Sequence, residues 1–424
     1  MSISQNFPST RPSLNLNFAR SQKLDPRITF TRTSSATRTN AQGLIEVVTA
    51  NTPRFEHSYN SSTGSVNSLG LLVEESRTNL ITYSDYSSGN SLFNVTLSTN
   101  ATTAPDGTNT AVSMTGSVGT SVKYLYKGYS TTTTGTYTTS VFAKYNGEQY
   151  ILLRVNDNTG VNDGQQRFDI LNGIKDGNVA NGGTATGASS TITAYPNGWY
   201  RLSVTVTFNS ALTSLQGAGV YLTGYTTTSS TNSVYLWGAQ LEAGAFPTSY
   251  IPTVASTRTR AADNASITGK NFSEWYRQDE GTLLVEYRFN GLPSSAYPTL
   301  IGLQPGSGSA YVFIFYDGPF SRMRGAIVST SNIGQQDTFN QITTPPIIGN
   351  RYKYIKSLKT NDFIDLWTGN NNLNTDLSGT LPILDKLGIG ISPNTNSNQI
   401  TGTISRLTYY PKRLPNAQLQ ALTS

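Results

Sequence analysis

The sequence predicts a protein that is nearly all β, on three observations. Charged residues make up only 13% of the 424 residues, and Gly (38) and Tyr (24) are abundant. Runs of β-branched and aromatic residues of strand length recur along the chain. Polar turn clusters such as NDNTG, NDG and PNG separate these runs, a pattern typical of β-sandwiches and jelly rolls. The length exceeds that of one usual domain, so we expect two or three folded units.

Residues 1–85 are predicted to form an N-terminal arm and a small β unit. Residues 1–27 contain three prolines and little hydrophobic pattern, which indicates an extended arm that is ordered only against a partner. Residues 28–48 alternate around the turn Asn40-Ala41-Gln42-Gly43, which predicts a hairpin. The apolar strand that begins GLLV at residue 70 needs a partner sheet.

Two larger β units are expected to follow. About seven strand-like runs between residues 86 and 250 match the requirement of a jelly roll. Residues 251–280 form a connector, and residues 281–424 contain a second all-β set. A short closing helix is predicted after Pro415, where Leu419 and Leu422 share one face.

Composition excludes several classes of function. The chain has no cysteine, so disulfides, thiolate metal sites and a cysteine nucleophile are absent. The net charge of +6 is spread along the chain, and the densest basic run, RYKYIKSLK (351–359), fits a solvated strand face rather than a nucleic-acid site. No 18 apolar residues run together and no apolar segment follows the start, so we expect neither membrane insertion nor a signal peptide.

Several segments together resemble a family of virion proteins from the tail fibres and other particle appendages of tailed bacteriophages. The resemblance spans almost the whole chain, and implies a carbohydrate-binding-module-like jelly roll for residues 86–250 and a concanavalin A/laminin G-like sandwich for residues 281–424. The segments that carry it are GLLVEESRTNL (70–80), PNGWYR (196–201), VYLWGAQLEAG (234–244), TSYIPT (248–253), STRTRAAD (256–263), LGIG (387–390) and GTISRLTYYPKRL (402–414).

Glycan cleavage is the enzymatic alternative, because it requires two carboxylates about 5–10 Å apart. Glu74 and Glu75 are adjacent on one strand and must point to opposite faces. Asp362 and Asp365 diverge for the same reason, and nothing in the sequence favours a partner for Glu242. The single histidine, His57, removes most acid–base schemes and is interpreted as a surface residue at a strand end. We therefore expect no enzyme activity, with depolymerase activity as a minor alternative.

Calcium is the one cofactor with candidate ligands. Asp157 and Asp163 lie in NDNTGVNDG, a loop of the kind that can hold a calcium ion in a jelly roll. Position twelve counted from Asp157 is Phe168, so the loop is not an EF-hand. A plain turn cluster is the favoured interpretation, and no cofactor is expected.

Sugar binding predicts exposed aromatic rings, on which a pyranose can stack. Strand alternation in WYRLSVTVTF (199–208) places Tyr200 and Leu202 on the core face and Trp199 and Arg201 on the polar face. Trp199 with Arg201 is therefore the first glycan-binding candidate, against the alternative that Trp199 covers a sandwich edge or a neighbouring subunit. Trp367 is a second, weaker candidate. Trp237 has apolar residues on both strand faces and is interpreted as closing scaffold.

The resemblance implies a non-enzymatic phage virion protein. By family analogy it would attach to other virion proteins through its N-terminal region and form a homotrimer. It would then bind host-surface polysaccharide through its sandwiches. The alternative from a different class is a purely structural capsid or neck decoration that binds no glycan.

Overall fold

The structure is a computed structural model that describes residues 8–223, 230–292, 296–328, 346–368 and 372–424, and the backbone of 334–338. Strands account for 53% and helices for 6% of the chain, which confirms the all-β prediction. No helix among these residues has the length and hydropathy needed to span a membrane.

The elements follow in chain order. Residues 1–85 contain β1 (Leu14–Leu16), α1 (Phe18–Ser21), β2 (Thr29–Thr31), β3 (Ala36–Thr39), β4 (Ile45–Val48), β5 (Arg54–Asn60), β6 (Ser65–Val73) and β7 (Arg77–Asn79). The middle region contains β8 (Ser91–Phe93), β9 (Val95–Thr102), β10 (Ala111–Gly116), β11 (Tyr124–Ser130), β12 (Gly135–Asn146), β13 (Tyr150–Asp157), β14 (Asp163–Asp169), β15 (Ile174–Gly182), β16 (Thr186–Tyr195), β17 (Trp199–Phe208), β18 (Ser214–Leu222) and β19 (Ser233–Ala243), with a 3-10 turn at Pro196–Gly198.

The rest of the chain contains a second series of strands and the closing helix. These are β20 (Arg258–Arg260), β21 (Asn264–Thr268), α2 (Lys270–Ser273), β22 (Glu280–Gly291), β23 (Thr299–Gln304), β24 (Tyr311–Asp317), β25 (Arg322–Val328), β26 (Gly334–Thr338), β27 (Tyr352–Lys359), β28 (Phe363–Trp367), β29 (Asn374–Asp376), β30 (Lys386–Ile389), β31 (Thr401–Tyr410) and α3 (Asn416–Thr423), with a 3-10 turn at Gly318–Phe320.

The middle region is a sandwich of two six-stranded antiparallel sheets. One sheet has the order β16-β17-β12-β19-β10-β9, and the other β15-β14-β13-β18-β11-β8. Leu202, Val204 and Val206 of β17 are fully buried in the core between the sheets, as their alternation predicted. In the first sheet, β19 lies between β12 and β10, and its Trp237 is only 3% exposed, which confirms the scaffold interpretation of this stretch.

The second sandwich combines both ends of the chain. Its eight-stranded sheet has the order β29-β28-β27-β22-β31-β6-β5, with β1 also paired to β31, and its seven-stranded sheet runs β2-β21-β30-β23-β24-β25-β26. The sequence assigned residues 1–85 to a unit of their own. Four of their strands instead extend these two sheets, because apolar residues such as Leu14, Phe55 and Leu71 complete the core of the second sandwich.

The prediction that residues 1–27 are an arm ordered only by a partner is wrong for β1. Leu14 pairs with Tyr409 and Leu16 with Leu407, so the chain itself supplies the partner strand. Both leucines are buried, at 1% and 3% exposure. The predicted hairpin is confirmed: β3 and β4 pair antiparallel, and Gly43 has the positive φ (78°) of a residue that ends such a turn.

A buried ion network joins the N-terminal region to the connector. Asp263 pairs with Arg32 at 3.0 Å and with Arg54, while Glu74 pairs with Arg54 at 2.8 Å and with Arg260 at 3.5 Å. These five side chains are at most 2% exposed. Burial alone would raise the pKa of Glu74, but Arg260 and Arg54 outweigh it and lower this pKa to about 2.

The closing helix is confirmed as α3, with Pro415 as its N-terminal cap residue. Leu419 is buried and Leu422 partly buried against Leu284, Ile355 and Ile364 on the outer face of the eight-stranded sheet. The helix therefore covers one end of that face. The first helix, α1, follows β1 directly and packs beside β6 and β31.

Candidate functional site

Trp199 is not the exposed ring that a glycan would need. Its side chain is 1% exposed, and its indole Nε1 donates a hydrogen bond to the carbonyl of Thr103 at 3.1 Å. It belongs to a second apolar cluster on the outer face of its sheet, together with Ile45, Ala104, Phe142, Trp237 and Tyr250. The prediction of an exposed platform at Trp199 is wrong, because this cluster covers the face that alternation marked as polar.

Trp367 also fails as a platform. It is 8% exposed and packs in the core of the second sandwich, where its ring stacks on Tyr354 at 6.4 Å between centroids. Because β28 is buried on both faces, the alternation of residues along that strand does not distinguish a solvent-exposed face from a buried one. Neither tryptophan candidate is therefore accessible.

Asp157 and Asp163 are held by protein groups. Asp157 caps its own turn by accepting hydrogen bonds from Thr159 and Asn162. Burial alone would raise the pKa of Asp157, but these hydrogen bonds outweigh it and lower the pKa. Asp163 pairs with Arg154 at 2.5 Å, and a neighbouring guanidinium opposes cation binding. Among the described residues, no three Asp, Glu or His side chains form a group that could hold a metal ion.

The carboxylates considered for catalysis are separately engaged. Glu75 pairs with Arg77, Asp362 with Arg413 and Asp365 with Lys356. Glu242 accepts hydrogen bonds from Gln240 and Thr248 inside the fold. Each is therefore part of a local structural contact.

A cleft of about 590 Å³ lies where the N-terminal hairpin region meets the edge of the middle sandwich. We call it the junction cleft. Its walls are formed by β3 and β5, by β16 and β17, and by residues 245–250, with residues 348 and 349 at one side. This volume falls in the range of about 300–1,000 Å³ typical of small-molecule sites.

Hydroxyl groups dominate the wall that the middle sandwich contributes. Thr191 of β16 and Ser203 of β17 share a hydrogen bond of 2.6 Å, and Thr205 bonds to Thr138 in the same sheet at 2.7 Å. Thr193 is exposed on β16, the edge strand. Such a wall offers both donors and acceptors, which suits a polyhydroxyl ligand.

Arg201 lies in this cleft, and so do two neighbours that the sequence did not bring together with it. The Arg201 guanidinium donates to the carbonyl of Thr248 at 2.8 Å and to the Ser140 hydroxyl at 3.0 Å, while its Nε is buried without a partner among the described residues. His57 is 5% exposed rather than on the surface, and its Nδ1 contacts the carbonyl of Thr39 at 3.1 Å. Its Nε2 likewise has no partner in the described part of the chain.

Glu56 is a carboxylate of the junction cleft that sequence reasoning missed. Its carboxylate accepts the backbone N–H of Thr39 at 3.1 Å. Burial raises the pKa of Glu56 to about 7, against the hydrogen bond from Thr39. The β-bulge between Glu56 and His57 breaks the strand alternation, so no period-two pattern could have marked both residues.

An aromatic ladder on the other sheet of the middle sandwich is a second accessible surface. Phe93 stacks on Tyr124 with centroids 4.5 Å apart, and Tyr124 stacks on Tyr221 at the same distance. Tyr126 lies 6.1 Å from Phe93, and Phe93 is 42% exposed. Because the rings stack on one another, most ring faces are covered by a neighbouring ring. A ligand could contact mainly the ring edges and the rings at the ends of the ladder.

Comparisons with known proteins assign no family to the chain. No family model matches it. No curated protein matches it either.

Solved structures show partial likenesses. A carbohydrate-binding module (CBM40) of the Ruminococcus gnavus IT-sialidase is 14% identical with a TM-score of 0.29, over 35% of this chain and 84% of that one. The receptor-binding domain of botulinum neurotoxin mosaic serotype C/D is 13% identical with a TM-score of 0.29, over 38% of this chain and 39% of that one. The NanB sialidase of Streptococcus pneumoniae is 13% identical with a TM-score of 0.29, over 37% of this chain and 26% of that one. Likenesses at this level assign no ligand to this chain.

Proposed function

We propose that the chain is a structural component of a tailed-phage virion, in a fibre or fibre-like appendage, and that it adheres to host-surface glycan. The support for the virion assignment is the sequence resemblance. Residues from the resembling segments meet in space: Glu74 pairs with Arg260, and Trp199 packs with Trp237 and Tyr250. Five of the resembling segments thus contribute residues to two buried clusters, one of ion pairs and one of apolar side chains.

The observation that carries the adhesion proposal is the junction cleft. It combines a hydroxyl wall with buried nitrogen atoms of His57 and Arg201 that have no partner among the described residues. Buried polar groups without partners are costly. With Nδ1 donating to the carbonyl of Thr39, Nε2 of a neutral His57 is an acceptor, which a ligand hydroxyl can satisfy as donor. Arg201 Nε–H is a donor, which a ligand hydroxyl or ring oxygen can accept. A neutral or weakly charged glycan segment matches this chemistry.

We propose that the chain does not cleave this glycan. Glu56 and Glu74 both line the junction cleft, with pKa values of about 7 and 2. However, Glu74 accepts from the backbone N–H and hydroxyl of Ser249 and pairs with two arginines. Those contacts occupy its oxygen atoms, so it is poorly placed to act as a nucleophile or base.

Binding of labelled protein to an array of bacterial capsular and O-antigen polysaccharides tests the proposal. The variant Thr193→Trp places a bulky ring in the cleft and is expected to abolish binding. Its matched control is Thr134→Trp, at an exposed residue outside the cleft lining. The variant Tyr126→Ala on the aromatic ladder is expected to bind like the unchanged protein.

The outcomes separate the alternatives. Loss of binding in Tyr126→Ala with retention in Thr193→Trp would move the glycan to the aromatic ladder and overturn the cleft assignment. Shortening of a bound polysaccharide would instead favour a depolymerase. Failure of the folded protein to bind any polysaccharide would favour a capsid or neck decoration.

The proposed assembly is a homotrimer attached to virion proteins through the N-terminal region. Because β1 is tied into the second sandwich, this attachment would use the surface of residues 8–13 and of the β3–β4 hairpin, where Val47 is 62% exposed. Light scattering of the purified protein measures the oligomer directly, and a monomeric mass would contradict the trimer.

A further inference from the structure

A second, smaller pocket of about 130 Å³ lies on the outer face of the eight-stranded sheet. We call it the arginine pocket. Its lining includes Arg288 of β22, Arg406 of β31 and Arg351, which directly precedes β27. Glu286 and Ser68 also line it, and Asn17 and Ala19 contribute from the α1 segment.

Local strand geometry creates this pocket. β6 pairs with β31 only over Leu71–Val73. The next residue towards the start of β6, Gly70, has φ of 103°, and a Cβ there would lie 2.3 Å from the carbonyl oxygen of Ile404. β31 also carries a bulge opposite β22 at Glu286 and Tyr287. The regular pairing of β6 with β31 therefore ends at this point, and Ser68 of β6 lies in the pocket lining.

Charge in the arginine pocket is unbalanced. Within its described lining, three guanidinium groups share one carboxylate, that of Glu286, which forms an ion pair with Arg351. The other two arginines donate to neutral oxygens: Arg288 to the carbonyl of Gly349 at 2.6 Å, and Arg406 to Thr408 Oγ1 at 3.0 Å. Burial and the nearby charge of Arg351 lower the pKa of Arg288, as expected where positive charge lacks compensation.

A hydroxyl at the same place also lacks a partner. Ser68 Oγ is buried and makes no hydrogen bond to any described residue. A buried hydroxyl without a partner is costly unless a ligand completes it. This observation is independent of the charge excess, and both favour an acceptor-rich, negatively charged ligand.

We propose that the arginine pocket binds a small oxyanion, through Arg288, Arg351 and Arg406 with Ser68 as an additional donor. The volume admits a single phosphate, sulfate or carboxylate group and little more. Guanidinium groups suit such anions because their planar N–H donors match two oxygens at once. This pocket adjoins the junction cleft, since Leu69 and Arg288 line both. The inference rests on the arginines and Ser68 and does not depend on the proposed function.

Calorimetric titration of the full chain with inorganic phosphate, at constant ionic strength with chloride as the reference anion, tests the proposal. Saturable binding is expected with one site per chain. Arg406→Gln and Arg288→Gln are each expected to weaken it by about tenfold, the loss of one charge-assisted hydrogen bond. The control is Arg167→Gln, an exposed arginine paired with Asp176 in the middle sandwich, which should leave phosphate affinity unchanged.

Ser68→Ala separates ligand binding from folding. Because Ser68 Oγ has no partner among the described residues of the unliganded protein, its removal should not lower the melting temperature in chloride, yet it should weaken phosphate binding. The same titration with sulfate and with glucuronate compares free tetrahedral anions with the carboxylate of an acidic polysaccharide. Phosphate heat no different from chloride, or equal affinity in all arginine variants, would overturn the proposal.

Discussion

Glu56 holds its proton at a pH where an ordinary glutamate is ionised. Its pKa is about 7 in the folded chain and near 4.5 when unfolded. Between these values the folded state binds more protons, so this residue's contribution to the free energy of unfolding is full below about pH 4.5 and decreases towards pH 7. We predict that Glu56→Gln removes this dependence.

Urea unfolding of both proteins from pH 5 to pH 8 measures the effect. The stability of the unchanged protein relative to Glu56→Gln should decrease steadily up to about pH 7 and then become constant. Parallel stability curves would show that Glu56 titrates normally. The comparison is made as a difference so that the contributions of other groups that titrate between pH 5 and pH 8 cancel.

Asp263 compensates two buried arginines, and we predict that Asp263→Asn is strongly destabilising. Without the carboxylate, Arg54 keeps Glu74 as a charged partner, whereas Arg32 loses its ion pair in the described network. Breaking a buried ion pair from one side typically costs about 3–5 kcal/mol. The control Asp176→Asn removes an exposed partner of Arg167 and should cost at most about 1 kcal/mol. Equal losses in chemical denaturation would contradict this difference.

Predictions of burial for single residues succeeded where a strand face packs against only one other part of the protein. The core face of β17 is such a case, because Leu202 and Val204 face only the opposite sheet. Trp199 on the same strand was misplaced, since Ile45 and Tyr250 from distant segments cover the outer face there. Arg201 was placed correctly beside the polar wall, but its neighbours Glu56 and His57 come from another region.

At the scale of elements, β1 and α1 are predicted to stabilise the second sandwich although they are short. Leu14, Leu16 and Phe18 are each at most 3% exposed in its core. Removal of one such side chain typically costs about 2–5 kcal/mol. Deletion of residues 1–24 should therefore lower the melting temperature sharply, whereas deletion of residues 1–12 retains β1 and should leave it nearly unchanged. Equal melting temperatures of the two truncations would show that β1 is dispensable.

Pairing between distant strands could not be predicted from local patterns. The sequence identified the strand that begins at Gly70 and its need for a partner sheet. It did not identify the partner, β31, which lies close to the opposite end of the chain. Strand alternation reports which face is buried but carries no information on which strand is adjacent.

At the scale of the whole molecule, the two sandwiches differ in how the chain supplies them. Every described strand of the middle sandwich lies between residues 91 and 243. Its core also contains Tyr86, at the edge of the predicted 86–250 boundaries, and Ile81, with Leu80 partly buried against it, from outside them. The second sandwich needs β1, β2, β5 and β6 from the N-terminal region, together with β21 from the connector. The middle sandwich is thus an insertion between two parts of the second one.

This organisation predicts opposite behaviour for two fragments. Residues 79–255 should fold alone and unfold cooperatively in urea, because both sheets and their core are complete. Residues 281–424 alone should expose the core surfaces that Phe55, Leu71 and Val73 cover, and should aggregate or lack cooperative unfolding. Addition of residues 8–85 in trans supplies most of the missing strands and is expected to restore part of the structure. A cooperatively folding 281–424 fragment would contradict the shared core, since the five strands supplied from outside it would then be unnecessary.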